Sequence, residues 1–199
     1  MATAYYPAYR ALAPATPDAN RLGKWLSARV MLHCLLPELL PELLPAALET
    51  WLENEASGRP ALHGPAAGTG TMAVSHSGEW AAVLLTTNGP CGVDIERIRD
   101  KAQRLAPRFL SEAEALEAAR NPTAAHFTLL WSAKETLYKL AARRGLIFKT
   151  QLLLGPFVPS EGGSIPATLV LDGRRTRHLV CYRHPAPGYV LTYAFGDNE

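Results

Sequence analysis

Two carboxylates alternate along a short segment near the middle of the chain. The segment GVDIE at residues 92–96 has the period of a β-strand, which places Asp94 and Glu96 on one face and Val93 and Ile95 on the other. Neighbouring carboxylates on one face repel each other unless a cation lies between them, and oxygen ligands of this kind suit Mg²⁺. The same pattern is typical of the solvated outer face of an edge strand. Taken alone, the pair favours that simpler interpretation.

A second group of charged side chains lies about 35 residues further on, in WSAKETLYKL at residues 131–140. Lys134 falls near the middle of an apolar helix face that consists of Phe127, Leu130, Trp131, Leu137, Tyr138 and Ala141. It therefore either extends along the helix toward water or meets an anion, because burying an unpaired ammonium is costly. Glu135 and Lys139 lie one turn apart on the flank, where an ordinary ion pair would contribute roughly 0.3–0.5 kcal/mol. Two lysines and a carboxylate beside an aromatic face also describe a phosphate and metal site.

A third candidate is the segment Ser75-His76-Ser77-Gly78 at the end of a predicted strand. Its hydroxyls, its imidazole and its glycine turn could hydrogen-bond a phosphate, although a histidine in a turn is more often merely exposed to solvent. The sequence has no P-loop, HExxH or GxSxG pattern, so those enzyme classes lack support.

The elements that carry these residues follow from the hydrophobic periods. The patterns predict an irregular arm over residues 1–18, a helix over 21–36, two short helical pieces in the proline-rich segment after it, and a loop over 58–70. Further helices are predicted after Glu96, from a capping box at Ser111 and Glu114, and over 124–144 with a stop at Gly145. Strands are predicted at 71–76, 80–87, 91–96, 151–157, 167–171, 178–182 and 189–195, with turns at Asn88-Gly89, a hairpin signal, and at Asp172-Gly173. The sum is an α+β fold with helices beside antiparallel sheet.

Composition and charge exclude several classes of protein. Of the 199 residues, 48% are hydrophobic and 19% are charged, which suits a folded core and argues against disorder. The net charge of +2 is too small for a dedicated binder of nucleic acid or of anionic membranes. No apolar run approaches the roughly 18 residues of a membrane helix, and no secretory signal is seen. Three widely spaced cysteines predict neither a disulfide framework nor a zinc site, and they fit a reducing cytoplasm.

Taken in order, SHSG, GVDIE and WSAKETLYK resemble the motifs of the 4′-phosphopantetheinyl transferase superfamily. Gly58-Arg59-Pro60 is similar to the Gly-Lys-Pro element of that family, and FLSEAE at 109–114 is similar to its Phe-Ser-x-x-Glu helix start. The length favours the surfactin-synthetase-activating type over the half-length holo-acyl-carrier-protein synthases. The resemblance implies a monomer of two similar α/β halves related by a pseudo-twofold axis, each with antiparallel sheet packed on helices. We expect the halves to be residues 1–97 and 98–199, with the active site in the cleft between them.

The family reaction implied by this resemblance moves 4′-phosphopantetheine from coenzyme A to a serine of an apo acyl or peptidyl carrier protein and releases adenosine 3′,5′-bisphosphate. By resemblance, Asp94, Glu96 and Glu135 would hold Mg²⁺, with Mn²⁺ as a substitute. Lys139 and Lys134 would stabilise the phosphate oxygens. Glu135 is also the candidate base for the carrier serine, either directly or through a metal-bound water.

The resemblance also implies a binding site for coenzyme A. Ser75 and His76 match family residues that contact its phosphates, and Arg59 matches the element that lines the nucleotide. Arg29, with Arg21 or Lys24, matches the grip on the 3′-phosphate only loosely. The sequence departs from the family pattern at Met72-Ala73-Val74, at Arg59 in place of lysine, and at Thr136 in place of a smaller residue. None of these departures removes a proposed metal ligand or phosphate lysine, so we expect an active enzyme.

Two other functions remain open at the level of sequence. The first is a family member that binds coenzyme A or the carrier without turnover. The second is a nucleic-acid or structural role suggested by the basic cluster Arg174, Arg175, Arg177 and His178, which is more typical of a solvated hairpin tip. For the transferase, an acidic carrier would meet basic residues near the cleft, and Arg97, Arg99 and Arg104 are candidates beside their simpler role as solvated charges.

Overall fold

The structure is a computed structural model that describes residues 19–39, 41, 51–55 and 58–196. The predicted arm over residues 1–18 and most of the proline-rich segment after residue 39 lie outside the described residues. No helix within the described ranges is both long enough and apolar enough to span a membrane.

The first part of the described chain consists of one helix and two antiparallel strand pairs. Its elements are α1 (Ala19–Leu39), β1 (Trp51–Asn54), β2 (Pro60–His63), a 3₁₀ turn (Gly64–Ala66), β3 (Thr71–Ser77) and β4 (Trp80–Thr86). Strand β1 pairs with β2, and β3 pairs with β4. Strand β1 was not predicted, and the loop predicted over 58–70 was wrong for Pro60–His63, because Leu52 and Leu62 pair across β1 and β2 and are buried against Leu32 and Leu36 of α1.

The second part is a five-stranded antiparallel sheet packed on helices. Its elements are β5 (Cys91–Arg97), α2 (Asp100–Phe109), α3 (Glu112–Ala118), α4 (Ala124–Ala141), α5 (Phe148–Gln151), β6 (Leu152–Leu154), β7 (Gly162–Leu171), β8 (Arg174–Arg183) and β9 (Tyr189–Phe195). The strand order is β5-β9-β8-β7-β6. The main core lies between this sheet and α4, with Leu129, Ala133 and Leu137 buried against Ile165 and Val180.

Local capping chemistry sets the bounds of the helices that matter for the site. The predicted capping box is confirmed, because Ser111 Oγ accepts from the Glu114 amide while the Glu114 carboxylate accepts from the Ser111 amide. Helix α4 begins after Thr123, whose side chain accepts from the His126 amide. It ends before Ala142, which has a left-handed conformation with φ 49° and ψ 30°. The helix is therefore shorter than predicted, because Ala142 rather than Gly145 reverses the chain.

Strand β5 joins the two parts. The predicted hairpin at Asn88-Gly89 was wrong as a pairing: the chain turns there, but β5 is hydrogen-bonded to β9 and not to β4. One face of β5 packs on the β3–β4 pair, and the other lies under α4. The α+β class with antiparallel sheets is confirmed. The division into residues 1–97 and 98–199 stays a prediction.

Candidate active site

Asp94 is the most enclosed of the predicted metal ligands, with 4% of its surface exposed. Its Oδ1 accepts from Ser75 Oγ at 2.7 Å and from Lys139 Nζ at 2.8 Å. Its Oδ2 is buried and has no hydrogen-bond partner among the described residues. A buried carboxylate oxygen without a donor is unfavourable, and a bound cation would remove that penalty. For Asp94, the interpretation of the segment as a solvated strand face was wrong.

Glu96 lies two residues further along the same face of β5, where both of its oxygens accept hydrogen bonds. Ser77 Oγ donates to Oε2 at 2.9 Å, and Trp131 Nε1 donates to Oε1 at 3.2 Å. Burial raises the pKa of Glu96, and the nearby charge of Asp94 raises it further. The donors thus come from two elements, β3 and α4, and they fix the carboxylate in the space between them.

Glu135 projects from α4 toward the same two carboxylates. Burial raises its pKa to about 7, the charges of Asp94 and Glu96 add to that effect, and Lys139 opposes it. The charges of Asp94 and Glu96 both act on Glu135, so the three carboxylates lie in one region of the fold, as the resemblance implied. Among the residues that the structure describes, Lys139 is the ammonium that acts on these carboxylates, so the group carries an excess of negative charge.

Lys139 connects α4 with β5 on the edge of this acidic group. Its Nζ donates to the carbonyl of Val93 at 2.8 Å as well as to Asp94, and a quarter of its side chain is exposed. One of its three donor hydrogens is left for a ligand. This position agrees with the predicted role at a phosphate.

The residues fit a hard divalent cation by their donor type, by their excess negative charge and by the unsatisfied oxygen of Asp94. They do not form a closed cage, since no three His, Cys, Asp or Glu side chains within the described ranges form a ready-made metal cluster. Mg²⁺ needs no such cage, because it usually keeps several waters and takes only one or two carboxylates together with substrate phosphates.

Ser75 and His76, both predicted to contact phosphates of coenzyme A, lie on opposite faces of β3, and His76 lines a cavity that Glu96 also lines. Ser75 is buried, and its hydroxyl is engaged by Asp94, so it orients the carboxylate rather than reaching a phosphate. His76 faces α1, where its Nε2 lies 3.0 Å from Ser27 Oγ. Strand alternation makes Ser77 the second partner of the acidic face, a role that the sequence analysis missed although the SHS spacing carries its signal.

Lys134 does not lie at the site, and its predicted role at a phosphate is corrected here. Its side chain is fully buried, and its Nζ contacts Glu114 at 2.7 Å. The same ammonium donates to the carbonyls of Phe148 at 3.0 Å and Leu152 at 2.7 Å. All three donor hydrogens are therefore used inside the core. Lys134 fastens α4 to α3 and to the start of β6.

Arg29, which was matched only loosely to the grip on the 3′-phosphate, stays a prediction for that role. Its Nη2 donates to the carbonyl of Leu52 at 2.5 Å, and burial lowers its pKa to about 10 despite the nearby Glu53. Two residues span about 200° around a helix, so Arg29 and Ser27, the contact of His76, lie on nearly opposite sides of α1. The side chains of Arg21 and Lys24 lie outside the described residues.

A basic cavity of about 150 Å³ adjoins Lys139. Arg59 lines it, as the resemblance implied for the nucleotide element. Arg143 and Arg144 also line it, and the sequence analysis missed both. The Arg144 guanidinium lies so close to Gly58 that a Cβ there would be 2.7 Å from Nη2, and Gly58 itself has φ +85°. The glycine of the Gly-Arg-Pro element thus serves both the turn and the close approach.

A larger cavity of about 450 Å³ opens beside Glu96. Two of the three arginines predicted to meet the carrier, Arg97 and Arg99, line it together with Lys101, and Leu105 and Trp131 add apolar surface. Arg104 is exposed on α2 but does not line this cavity. We call this cavity, with Arg97, Arg99, Lys101, Leu105 and Trp131, the basic groove.

A sequence model of the 4′-phosphopantetheinyl transferase superfamily matches residues 90–194, which is more than half of the chain. The chain belongs to this superfamily. The match begins just before β5 and runs through most of β9, so it contains all three carboxylates of the site.

Two relatives agree with this assignment. The chain is 33% identical over 124 residues to the 4′-phosphopantetheinyl transferase psf-1 of Bacillus pumilus, a match that covers 61% of this chain and 46% of the relative. It is 38% identical over 69 residues to the 4′-phosphopantetheinyl transferase gsp of Aneurinibacillus migulanus, which covers 33% of this chain and 29% of the relative. The matched segments therefore span less than half the length of either relative.

Proposed function

We propose that this superfamily member transfers 4′-phosphopantetheine from coenzyme A to a serine of an apo acyl or peptidyl carrier protein in a Mg²⁺-dependent reaction. The observation that carries the proposal is the buried, unsatisfied oxygen of Asp94, with Lys139 bound to the other oxygen and also lining the basic cavity. A pyrophosphate linked to a nucleotide needs a hard cation at one place and fixed positive charge next to it. This arrangement provides carboxylates for the first and Lys139 with Arg59 for the second.

In the proposed reaction the serine oxygen forms a bond to the phosphorus next to pantetheine, and the bond from that phosphorus to the bridging oxygen breaks. The leaving group is adenosine 3′,5′-bisphosphate, and the serine proton passes to Glu135, directly or through water. When bound, Mg²⁺ would neutralise charge that develops on the pyrophosphate. Lys139 would stabilise the same oxygens through its remaining donor hydrogen, and Ser75 and Ser77 hold the two strand carboxylates in orientation.

The basic groove supports a further part of the proposal, namely where the carrier binds. Arg97, Arg99 and Lys101 present positive charge beside Glu96, and Leu105 and Trp131 provide an apolar floor. An acidic partner with an exposed apolar patch complements this surface. We expect the charge-reversal variant Arg97→Glu/Arg99→Glu to raise the KM for an acidic carrier about tenfold or more while coenzyme A binding stays unchanged. Arg104→Glu is the matched control. An equal rise in KM for this variant would contradict the proposal that the carrier binds at the basic groove.

The reaction is tested by mixing the protein with coenzyme A, Mg²⁺ and several apo carrier proteins and weighing the carriers by mass spectrometry. The expected result is the gain of one phosphopantetheine that EDTA abolishes. Asp94→Ala and Glu135→Ala should fold and lose transfer. Folded variants with near-normal turnover would overturn the metal assignment.

A protein that binds coenzyme A but modifies no carrier would support the second candidate, a silent binder. The intact set of Asp94, Glu135 and Lys139 argues against it. We also propose that the protein acts as a monomer in the cytoplasm. The unpaired state of Cys34, Cys91 and Cys181 is consistent with a reducing compartment.

A further inference from the structure

Helix α4 approaches strand β5 unusually closely at Gly92. A Cβ on Gly92 would overlap the carbonyl oxygen of Thr136 and would lie 3.0 Å from the Leu140 amide nitrogen, so the two backbones are in direct contact. Gly92 and Asp94 lie on the same face of β5 because they are two residues apart. The helix is therefore pressed on the strand immediately beside the acidic group. This contact sets the distance between helix α4 and strand β5. A single contact does not fix the rotation of the helix about its own axis or its position along that axis.

A second contact between α4 and the sheet consists of three hydroxyls, those of Ser132, Thr136 and Thr192. All three residues are fully buried. Thr192 Oγ1 lies 2.9 Å from Ser132 Oγ and 2.6 Å from Thr136 Oγ1, and it donates to the Ser132 carbonyl at 2.9 Å. Thr136 Oγ1 is also within 3.2 Å of the Thr192 carbonyl. We call this cluster the threonine latch.

The threonine latch has three hydroxyl protons and four short contacts. Thr192 donates to the Ser132 carbonyl and accepts from Ser132, while Thr136 lies within reach of both the hydroxyl and the carbonyl of Thr192. Every hydroxyl in the cluster then donates a hydrogen bond. Such a network in a dry core stabilises one relative position of its members, because any other position leaves a buried polar group without a partner.

The threonine latch lies directly behind the acidic group. Thr192 is the ladder partner of Asp94 in the pairing of β9 with β5. On the helix, Thr136 follows Glu135 and precedes Lys139 by three residues. Turning or sliding α4 would therefore break the threonine latch and move Glu135 and Lys139 relative to Asp94 at the same time.

We propose that Ser132, Thr136 and Thr192 are positioning residues that hold Glu135 and Lys139 at the rotation and height where they meet Asp94. The inference rests on the proposed function, since the three carboxylates are taken as the cation site. Close packing at Gly92 sets the separation of helix and strand, and the threonine latch sets the remaining two degrees of freedom.

The test compares Thr136→Val, which keeps the branched shape but loses the hydroxyl, with Thr136→Ser, which keeps the hydroxyl and loses the methyl group. Thr192→Val and Thr192→Ser repeat the comparison on the sheet. The first readout is the affinity for Mn²⁺ alone, measured by electron paramagnetic resonance without coenzyme A or carrier. We expect the valine variants to bind Mn²⁺ about tenfold more weakly and the serine variants to bind it almost normally. In transfer assays, kcat should fall in the valine variants while the KM for the carrier stays unchanged.

The control for a purely structural effect is Leu36→Ala, a fully buried residue of α1 in a core cluster that contains no residue of α4. If the valine variants bind Mn²⁺ and turn over as Leu36→Ala does at an equal loss of thermal stability, the inference is wrong. If a valine variant fails to fold, Thr136→Ala against Thr136→Ser makes the same comparison. A wild-type protein that neither binds Mn²⁺ nor modifies any carrier would instead contradict the proposed function. If the wild-type protein is active and the valine variants keep its Mn²⁺ affinity and kcat, the positioning role of the threonine latch is wrong and the proposed function stands.

Discussion

The clearest test of the corrected site is the substitution Lys134→Met. In the structure the Lys134 ammonium supplies one hydrogen bond each to the Glu114 carboxylate and to the carbonyls of Phe148 and Leu152. Methionine fills a similar volume but supplies no donor. The substitution leaves a carboxylate and two carbonyl oxygens in a region from which water is excluded, since the side chains of Lys134 and Glu114 are 0% and 4% exposed.

The magnitude follows from those three lost contacts. Removing one partner of a buried ion pair destabilises by about 3–5 kcal/mol. We expect the free energy of unfolding to fall by about 3 kcal/mol, at the lower end of this range, because Glu114 keeps the Ser111 and Leu154 amides as donors. For a protein of this size, each kcal/mol corresponds to about 2–4 °C, so the melting temperature should fall by roughly 6–12 °C. Thermal unfolding followed by circular dichroism measures the shift, and the KM for coenzyme A below the transition should stay within about twofold of wild type.

Lys139→Met is the matched control, because it removes the same kind of side chain from the same helix. Lys139 is a quarter exposed and adjoins the acidic group, so its loss should reduce transfer strongly and stability less than Lys134→Met does. If Lys134→Met were as stable as wild type and bound coenzyme A more weakly, the buried-pair argument would fail. That result would support the predicted role of Lys134 at a phosphate.

Two further predictions concern α1 and the end of α4. Burial lowers the pKa of His33, so below about pH 6.5 the unfolded chain takes up a proton that the folded protein resists, and stability should fall as the pH falls. His33→Leu should make the decline of the melting temperature from pH 7 to pH 5 shallower, and parallel curves would contradict the assignment. Ala142 has a left-handed conformation, so Ala142→Gly should raise stability by about 1 kcal/mol and Ala142→Val should lower it. Urea unfolding measures both variants, and equal midpoints would show that the helix end carries no such strain.

Short-range signals in the sequence predicted much of the fold. The capping box at Ser111 and Glu114 was confirmed because both partners lie within one turn. The Asp172-Gly173 turn joins β7 to β8 as predicted, and the strand predicted over 189–195 has the bounds of β9. Among the site residues, Asp94, Glu96, Glu135 and Lys139 come together because two segments with strong local patterns carry them.

What the sequence could not supply were pairings between distant residues. The apolar face of α4 showed that Lys134 needed a partner, but the same Glu114 that was recognised as a capping residue also holds the ammonium. The pairing of β5 with β9 joins Asp94 to Thr192 across almost half of the chain. Nothing near either residue indicates it, since Thr192 reads as an ordinary polar position of a strand. The β4–β5 hairpin was the natural local choice, and long-range burial overrode it.

The pairing of β5 with β9 also has a consequence during protein synthesis. A ribosome that has released residues up to 185 has already delivered Asp94, Glu96, Glu135 and Lys139, yet β5 still lacks its ladder partner. The acidic strand then has an open edge and a helix that cannot be latched, because Thr192 has not emerged. Such a nascent chain would carry every chemical group of the site without the site itself. The pairing of residues 189–195 with β5 is therefore the last step that completes the site.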